Sequence, residues 1–168
     1  MKKISKLINE YLTKVFFCLL TIAFLLLPAK SYAEVAETQI NGALIEASTE
    51  FLRDLDYETW QLVAYNSVNN QDKLVLRIIG YPGNLRIDHP LPLRVDSGRK
   101  SWDLDDITLS NNELVKDNRQ AAAEFDLEKL INDISQNRPL RLSLDGVFSE
   151  LPVPPFLVKE WRNLSTRT

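Results

Sequence analysis

Cysteine is almost missing from this chain: one residue, Cys18, in 168. Everything after it lacks a thiol, which excludes a disulfide framework, a thiol nucleophile and a cysteine-based metal site. Histidine is equally scarce, with His89 alone, so any histidine chemistry passes through one ring. Glycine numbers five, and Gly80, Gly83 and Gly98 form no phosphate-cradling loop, since no Gly-Lys-Ser/Thr follows them. Ser97-Gly98 and Ser101 lack the Gly-x-Ser-x-Gly elbow of an activated serine. No apolar run reaches the length of a membrane span. The longest, Val15 to Leu27, gives a helix of about 20 Å against about 30 Å of hydrocarbon.

What is present starts with that short run. Lys2, Lys3, Lys6 and Lys14 precede it, Pro28 ends it, and Ser31-Tyr32-Ala33 places small residues where a signal peptidase cuts. This order predicts a secretory signal peptide over 1–33, cleaved after Ala33. An uncleaved anchor is the alternative. Cys18 lies inside the apolar run without a small residue before it, so lipid attachment there is rejected. The leader holds five lysines and one glutamate, a net +4 within the chain's −3, so its removal leaves −7. That charge repels nucleic acid and anionic lipid, and the expectation is neither nucleic-acid binding nor membrane insertion after cleavage.

Along the remainder, 34–43 reads as a polar, flexible leader and 44–168 as one globular domain. Ile45, Ala47, Thr49 and Phe51 alternate with polar residues, the period of a half-buried strand. Asp54-Leu55-Asp56-Tyr57 supplies a turn, and Trp60 to Tyr65 completes a hairpin. Asn66 to Asp72 is a loop, and Lys73 to Ile79 is apolar enough for a central strand. Two short strands follow, Leu85 to Asp88 and Leu93 to Val95, then Ser101 to Leu104 after a turn at Ser97-Gly98. Ser110-Asn111-Asn112-Glu113 fits a capping box, which predicts a helix over Glu113 to Glu124. Asp126 caps a second helix with Leu127, Leu130, Ile131 and Ile134 on one face. Leu140, Leu142 and Leu144 mark a late strand. Leu151 to Pro155 is extended, and Leu157, Trp161 and Leu164 form the stripe of a final helix beginning at Pro155. The expected class is α+β: a mostly antiparallel sheet from the N-terminal half packed against two or three C-terminal helices.

Chemistry is sparse. His89 stands beside Asp88, with Asp96 near in sequence, as base or ligand, or as a loop residue bonded to backbone. Asp103, Asp105 and Asp106 are the densest acids and could hold calcium, yet they lack the glycine and closing glutamate of an EF-hand, and as a solvated turn before the capping box they need no metal. Asn163-Leu164-Ser165 matches a glycosylation acceptor. Contact features are clearer. Arg86, Arg94, Arg99 and Lys100 concentrate positive charge, either to receive an anion or to balance neighbouring acids. Trp102 and Trp161 join Trp60 as large aromatics, of which at least two are expected to pack inside while one at the rim would anchor a partner. Leu151 to Phe156, including Pro154 and Phe156, is stiff, and either braces the last helix against the sheet or would dock at small entropic cost.

Thr59 to Val63, Leu76 to Gly83, and Asp88 to Leu93 together resemble a family of exported cyanobacterial proteins whose domain has no assigned function. Phe125-Asp126-Leu127, Asn137 to Leu140 and Leu151 to Phe156 are similar too, so the likeness covers most of 44–164. It implies delivery to periplasm or thylakoid lumen and carries over no catalytic residue, metal or cofactor. The sequence expectation is a non-enzymatic accessory protein binding a protein partner, with Arg86, His89, Arg94, Trp102, Pro154, Phe156 and Trp161 as the binding residues. Two alternatives stay open. One is a small-anion binding module on Arg86, Arg94 and His89; the other is a hydrolase using two carboxylates.

Overall fold

Alternation along the strands decides which face of each one meets the core. The structure, a computed structural model, describes residues 14–15, 35–40, 43–67, 73–81, 87–116 and 121–166. The chain divides into two compact units, Met1–Tyr32 and Ala33–Thr168. Of the first unit only Lys14 and Val15 are described, both helical. Apart from Lys14 and Val15 the expected leader peptide lies outside the described residues, as do Leu85 and Arg86 of the expected Leu85–Asp88 strand, whose Ile87 and Asp88 are not in a strand.

The second unit is α+β, with two antiparallel sheets. Strands β1 (Val35–Ile40), β2 (Ala43–Arg53), β3 (Thr59–Ser67), β4 (Lys73–Ile79) and β7 (Ala122–Asp126) form one, in that order. Strands β6 (Lys100–Leu104), β5 (Leu93–Ser97), β8 (Leu140–Leu144) and β9 (Phe148–Val153) form the other. Three short helices accompany them: α1 (Asn112–Lys116), α2 (Glu128–Asp133) and α3 (Pro155–Ser165).

In register, β3 and β4 pair Leu62 with Ile78 and Ala64 with Leu76, and β4 and β7 pair Leu76 with Phe125. These side chains are fully buried on one face. Facing them from the second sheet are Leu93, Val95, Trp102, Leu104, Leu142, Leu144 and Leu151, in the same core. Each fully buried leucine or valine contributes roughly 1.5–3 kcal/mol. The stripe of α3 (Leu157, Val158, Trp161, Leu164) and Leu130 and Ile131 of α2 complete that core. Because residues at even and odd positions are both buried on β3 and β4, those strands read as unbroken apolar runs rather than clean alternation. The odd positions Val63, Tyr65 and Val75, with Ala47 of β2, make a second small cluster on the other face.

Two expectations are corrected. Val35–Ile40, read as part of a flexible leader, lies in strand β1, antiparallel to β2. The helix expected over Glu113 to Glu124 ends by Lys116, and Ala122–Asp126 is strand β7, paired with β4. Tertiary pairing overrides the helix preference of its alanines, whose small side chains suit a strand packed on both faces. The sheet is therefore not confined to the N-terminal half; three strands come from beyond residue 120.

Turns follow local chemistry. Gly98 holds φ of +63° between β5 and β6, and Gly146 holds +70° between β8 and β9, a region glycine enters without Cβ penalty. Tyr57 holds φ of +65° in the β2–β3 turn, which costs a residue with Cβ about 1–2 kcal/mol. The four-stranded sheet ends in β6 on one side and in β9, which carries Pro152, on the other.

Candidate functional site

The outer face of the five-stranded sheet carries a buried carboxylate where an apolar residue would be ordinary. Glu124 of β7 is in register with Arg77 of β4 and points away from the main core. Arg77 Nη2 lies 2.7 Å and Nε 2.8 Å from Glu124 Oε1. The Tyr65 hydroxyl donates to the same oxygen at 2.5 Å. Arg77 also donates to Tyr65 Oη at 3.1 Å, and its guanidinium sits 5.4 Å from the Tyr65 ring centroid. Asn111 Nδ2 reaches both Glu124 oxygens at 3.1 Å. Burial, then the Glu124 charge, pushes the Tyr65 phenol well above its ordinary value, against the smaller opposing pull of Arg77. The proton stays on Tyr65, and the hydroxyl stays a donor.

Asn111 has a second task. Its Oδ1 accepts from the amides of Glu113 at 3.0 Å and Leu114 at 3.4 Å. It therefore caps α1 in the place that the sequence assigns to Ser110.

Thr108 links this network to the histidine. Its Oγ1 accepts from the Glu124 amide at 2.8 Å and donates to Asp106 Oδ1 at 2.5 Å. The Thr108 amide donates to that same oxygen at 2.9 Å. Asp106 Oδ2 accepts from the Leu91 amide at 2.8 Å and lies 2.7 Å from His89 Nδ1. Burial works to raise the Asp106 carboxyl, but the bonds from Thr108, His89 and Leu91 outweigh it and hold it below the ordinary value. The contact fixes the orientation of the His89 ring through Nδ1.

The partner of His89 is thus Asp106, not Asp88 or Asp96. Of the three neighbouring acids, Asp103 and Asp105 are exposed while the Asp106 side chain is 2% exposed. Among the described residues no group of three or more His, Cys, Asp or Glu is arranged to hold a metal ion.

The other expected residues are dispersed. Arg94 is exposed on β5 and lies 3.3 Å from Asp96, while His89 is tied to a different carboxylate. Trp102 is buried, and its Nε1 donates to Asp133 at 2.8 Å. Trp161 is fully buried, with no hydrogen-bond partner for Nε1 among the described residues. Neither indole serves as an open rim anchor. Pro154 lines a groove with Pro139, Arg141 and Pro152, and Phe156 is 45% exposed at the start of α3.

A family model described as a protein of unknown function (DUF3122) matches residues 33–164. The chain belongs to the DUF3122 family. The DUF3122 match takes in every strand described above and all of α3 but its last residue. No curated protein and no solved structure matches the chain. Within the DUF3122 domain, sequence reasoning missed Tyr65, Arg77, Asp106, Thr108, Asn111 and Glu124 as a set. They come from four segments far apart in the chain, and a charged residue inside an apolar strand (Arg77 in Leu-Val-Leu-Arg-Ile-Ile) was the one available signal.

Proposed function

We propose that this domain is an exported accessory protein that binds another protein, in the periplasm or thylakoid lumen of a cyanobacterial host. The partner class is a membrane complex such as those of the photosynthetic machinery. One contrast supports this reading. Polar groups with chemical potential are turned inward and engaged with each other, as in the Glu124 and Asp106 networks. Large apolar side chains at the β2–β3 tip instead stand in solvent, Leu55 at 59% and Tyr57 at 79%. Scattered exposed apolar residues are normal, but exposed aromatics on a fixed frame suit partner recognition. The short apolar leader, its basic start and the −7 charge of the remainder support export as a soluble domain.

The test is isolation of the tagged full chain from solubilised membranes, with N-terminal sequencing of what is recovered. The expected result is a chain beginning near Glu34, with one defined protein in stoichiometric amount. Recovery from cytosol with Met1 in place, or purification free of any protein partner, overturns the reading.

A further inference from the structure

The β2–β3 turn is a rigid mount for two apolar side chains. Asp54 is buried, and its carboxylate is spent inside the turn. Oδ1 accepts from the amides of Asp56 and Glu58, both at 2.9 Å, and Oδ2 accepts from the Trp60 indole at 2.8 Å. The Asp54 amide donates to the Glu58 carbonyl at 3.1 Å and the Tyr57 amide to the Asp54 carbonyl at 3.2 Å. The Leu55 amide leaves the hairpin and donates to the Glu150 carbonyl of β9 at 3.2 Å. Trp60 packs edge-on against Phe148, centroids 4.9 Å apart, beneath it.

Tyr57 is the most exposed large apolar side chain among the described residues. It occupies a φ of +65°, where glycine or asparagine sits at lower cost. Fold stability therefore favours another residue there, and a strained, exposed aromatic points to a use outside the fold. A fixed turn also loses little freedom when it docks.

The surroundings set the chemistry of what docks. Asp56 and Glu58 flank Tyr57, both exposed. An open cleft of about 570 Å³ beside the turn is lined by Asp56, Asp103 and Asp145, with Arg94 as its cation. Arg94 already faces Asp96 at 3.3 Å. Arg53 stands exposed at the end of β2, but the acids outnumber the cations around the apolar tip.

We infer that Leu55 and Tyr57 are the contact point for a protein partner that offers an apolar recess rimmed by lysine or arginine. The inference rests on the binding reading above, and adds the surface and the character of its complement. Charge of this kind steers encounter and fixes register, and Tyr57, once covered by the recess, supplies the anchor.

The experiment places a photocrosslinking phenylalanine analogue at Tyr57, Phe156 or Lys129 of the full chain in its own cells. Adducts are identified by mass spectrometry, and the captured protein is purified and titrated with wild type, Tyr57→Gly and Leu55→Ser chains. Position 57 is expected to give a single protein adduct that position 129 does not. Binding of that protein weakens about tenfold or more in Tyr57→Gly, with no loss of thermal stability, and weakens further with added salt. Equal affinity of Tyr57→Gly, or a lipid adduct, overturns the inference. An adduct from position 156 without one from 57 removes the tip while leaving the binding reading intact. Absence of adducts at both positions removes both.

Discussion

Arg77 and Glu124 oppose one another on adjacent strands, 2.7 Å apart, with side chains 13% and 5% exposed. Removing one partner leaves the other charge buried, which costs about 3–5 kcal/mol. Glu124→Ala should fall in that range, because Tyr65 and Asn111 lose their acceptor as well. The double variant Arg77→Met/Glu124→Ala should recover the part due to the unpaired Arg77 charge, while Tyr65 and Asn111 still lack their acceptor. Urea unfolding of the four proteins in a mutant cycle measures this, and a single-variant cost under about 1 kcal/mol contradicts it.

Acid should weaken the domain through Asp106. Its folded carboxyl titrates below its unfolded value, chiefly because the Thr108, His89 and Leu91 bonds outweigh burial. Its contribution is therefore complete above the unfolded value and disappears as pH drops through the folded one. Asp106→Asn should flatten stability below about pH 4, where unfolded aspartates titrate. Glu160 has the opposite sign: burial lifts it, Ser48 opposes and Glu50 adds to the rise. Its contribution is present at low pH and lost as pH climbs through the folded value, so Glu160→Gln should stabilise at neutral pH. Denaturant midpoints across pH for both variants give the answer.

Two of the three buried indoles, Trp60 and Trp161, should respond unequally to phenylalanine. Trp60→Phe strips Asp54 Oδ2 of its 2.8 Å donor, costing about 1–3 kcal/mol beyond packing. Trp161→Phe removes a buried N–H that has no partner among the described residues, so the packing loss stands alone. Guanidinium unfolding should rank Trp60→Phe as the more damaging; equal losses would mean that Nε1 of Trp161 is hydrogen-bonded after all.

At position 57, glycine should be more stable than alanine by about 1–2 kcal/mol, the cost of a Cβ at positive φ. Differential scanning calorimetry of the two variants reads the gap directly. Equal melting temperatures would show that the backbone relaxes there without strain.

Much of the architecture was written locally. The run Lys73 to Ile79 coincides with β4, Leu140-Leu142-Leu144 bury one side of β8, and Leu157, Trp161 and Leu164 seat α3 as their spacing demands. β7 was hidden, because Ala121-Ala122-Ala123-Glu124 favours a helix and only its neighbour β4 makes it extended. The polar network was hidden for a related reason. Asp106 meets His89 across 17 residues, and Tyr65 meets Glu124 across 59, separations that leave no periodic trace. Trp60, Trp102 and Trp161 are all buried, where at least two were expected inside, because size alone does not tell whether any indole stays at the rim.

Pro152 gives the four-stranded sheet a blunt side. It lies on terminal strand β9, opposite Arg141, and Pro154 and Pro155 then turn the chain into α3. A stray extended segment laid along this border would meet a position without an amide hydrogen and, soon after, a helix in its path. Recruitment of foreign strands there is blocked by covalent structure, so the domain resists fibril-type growth from that flank even when crowded.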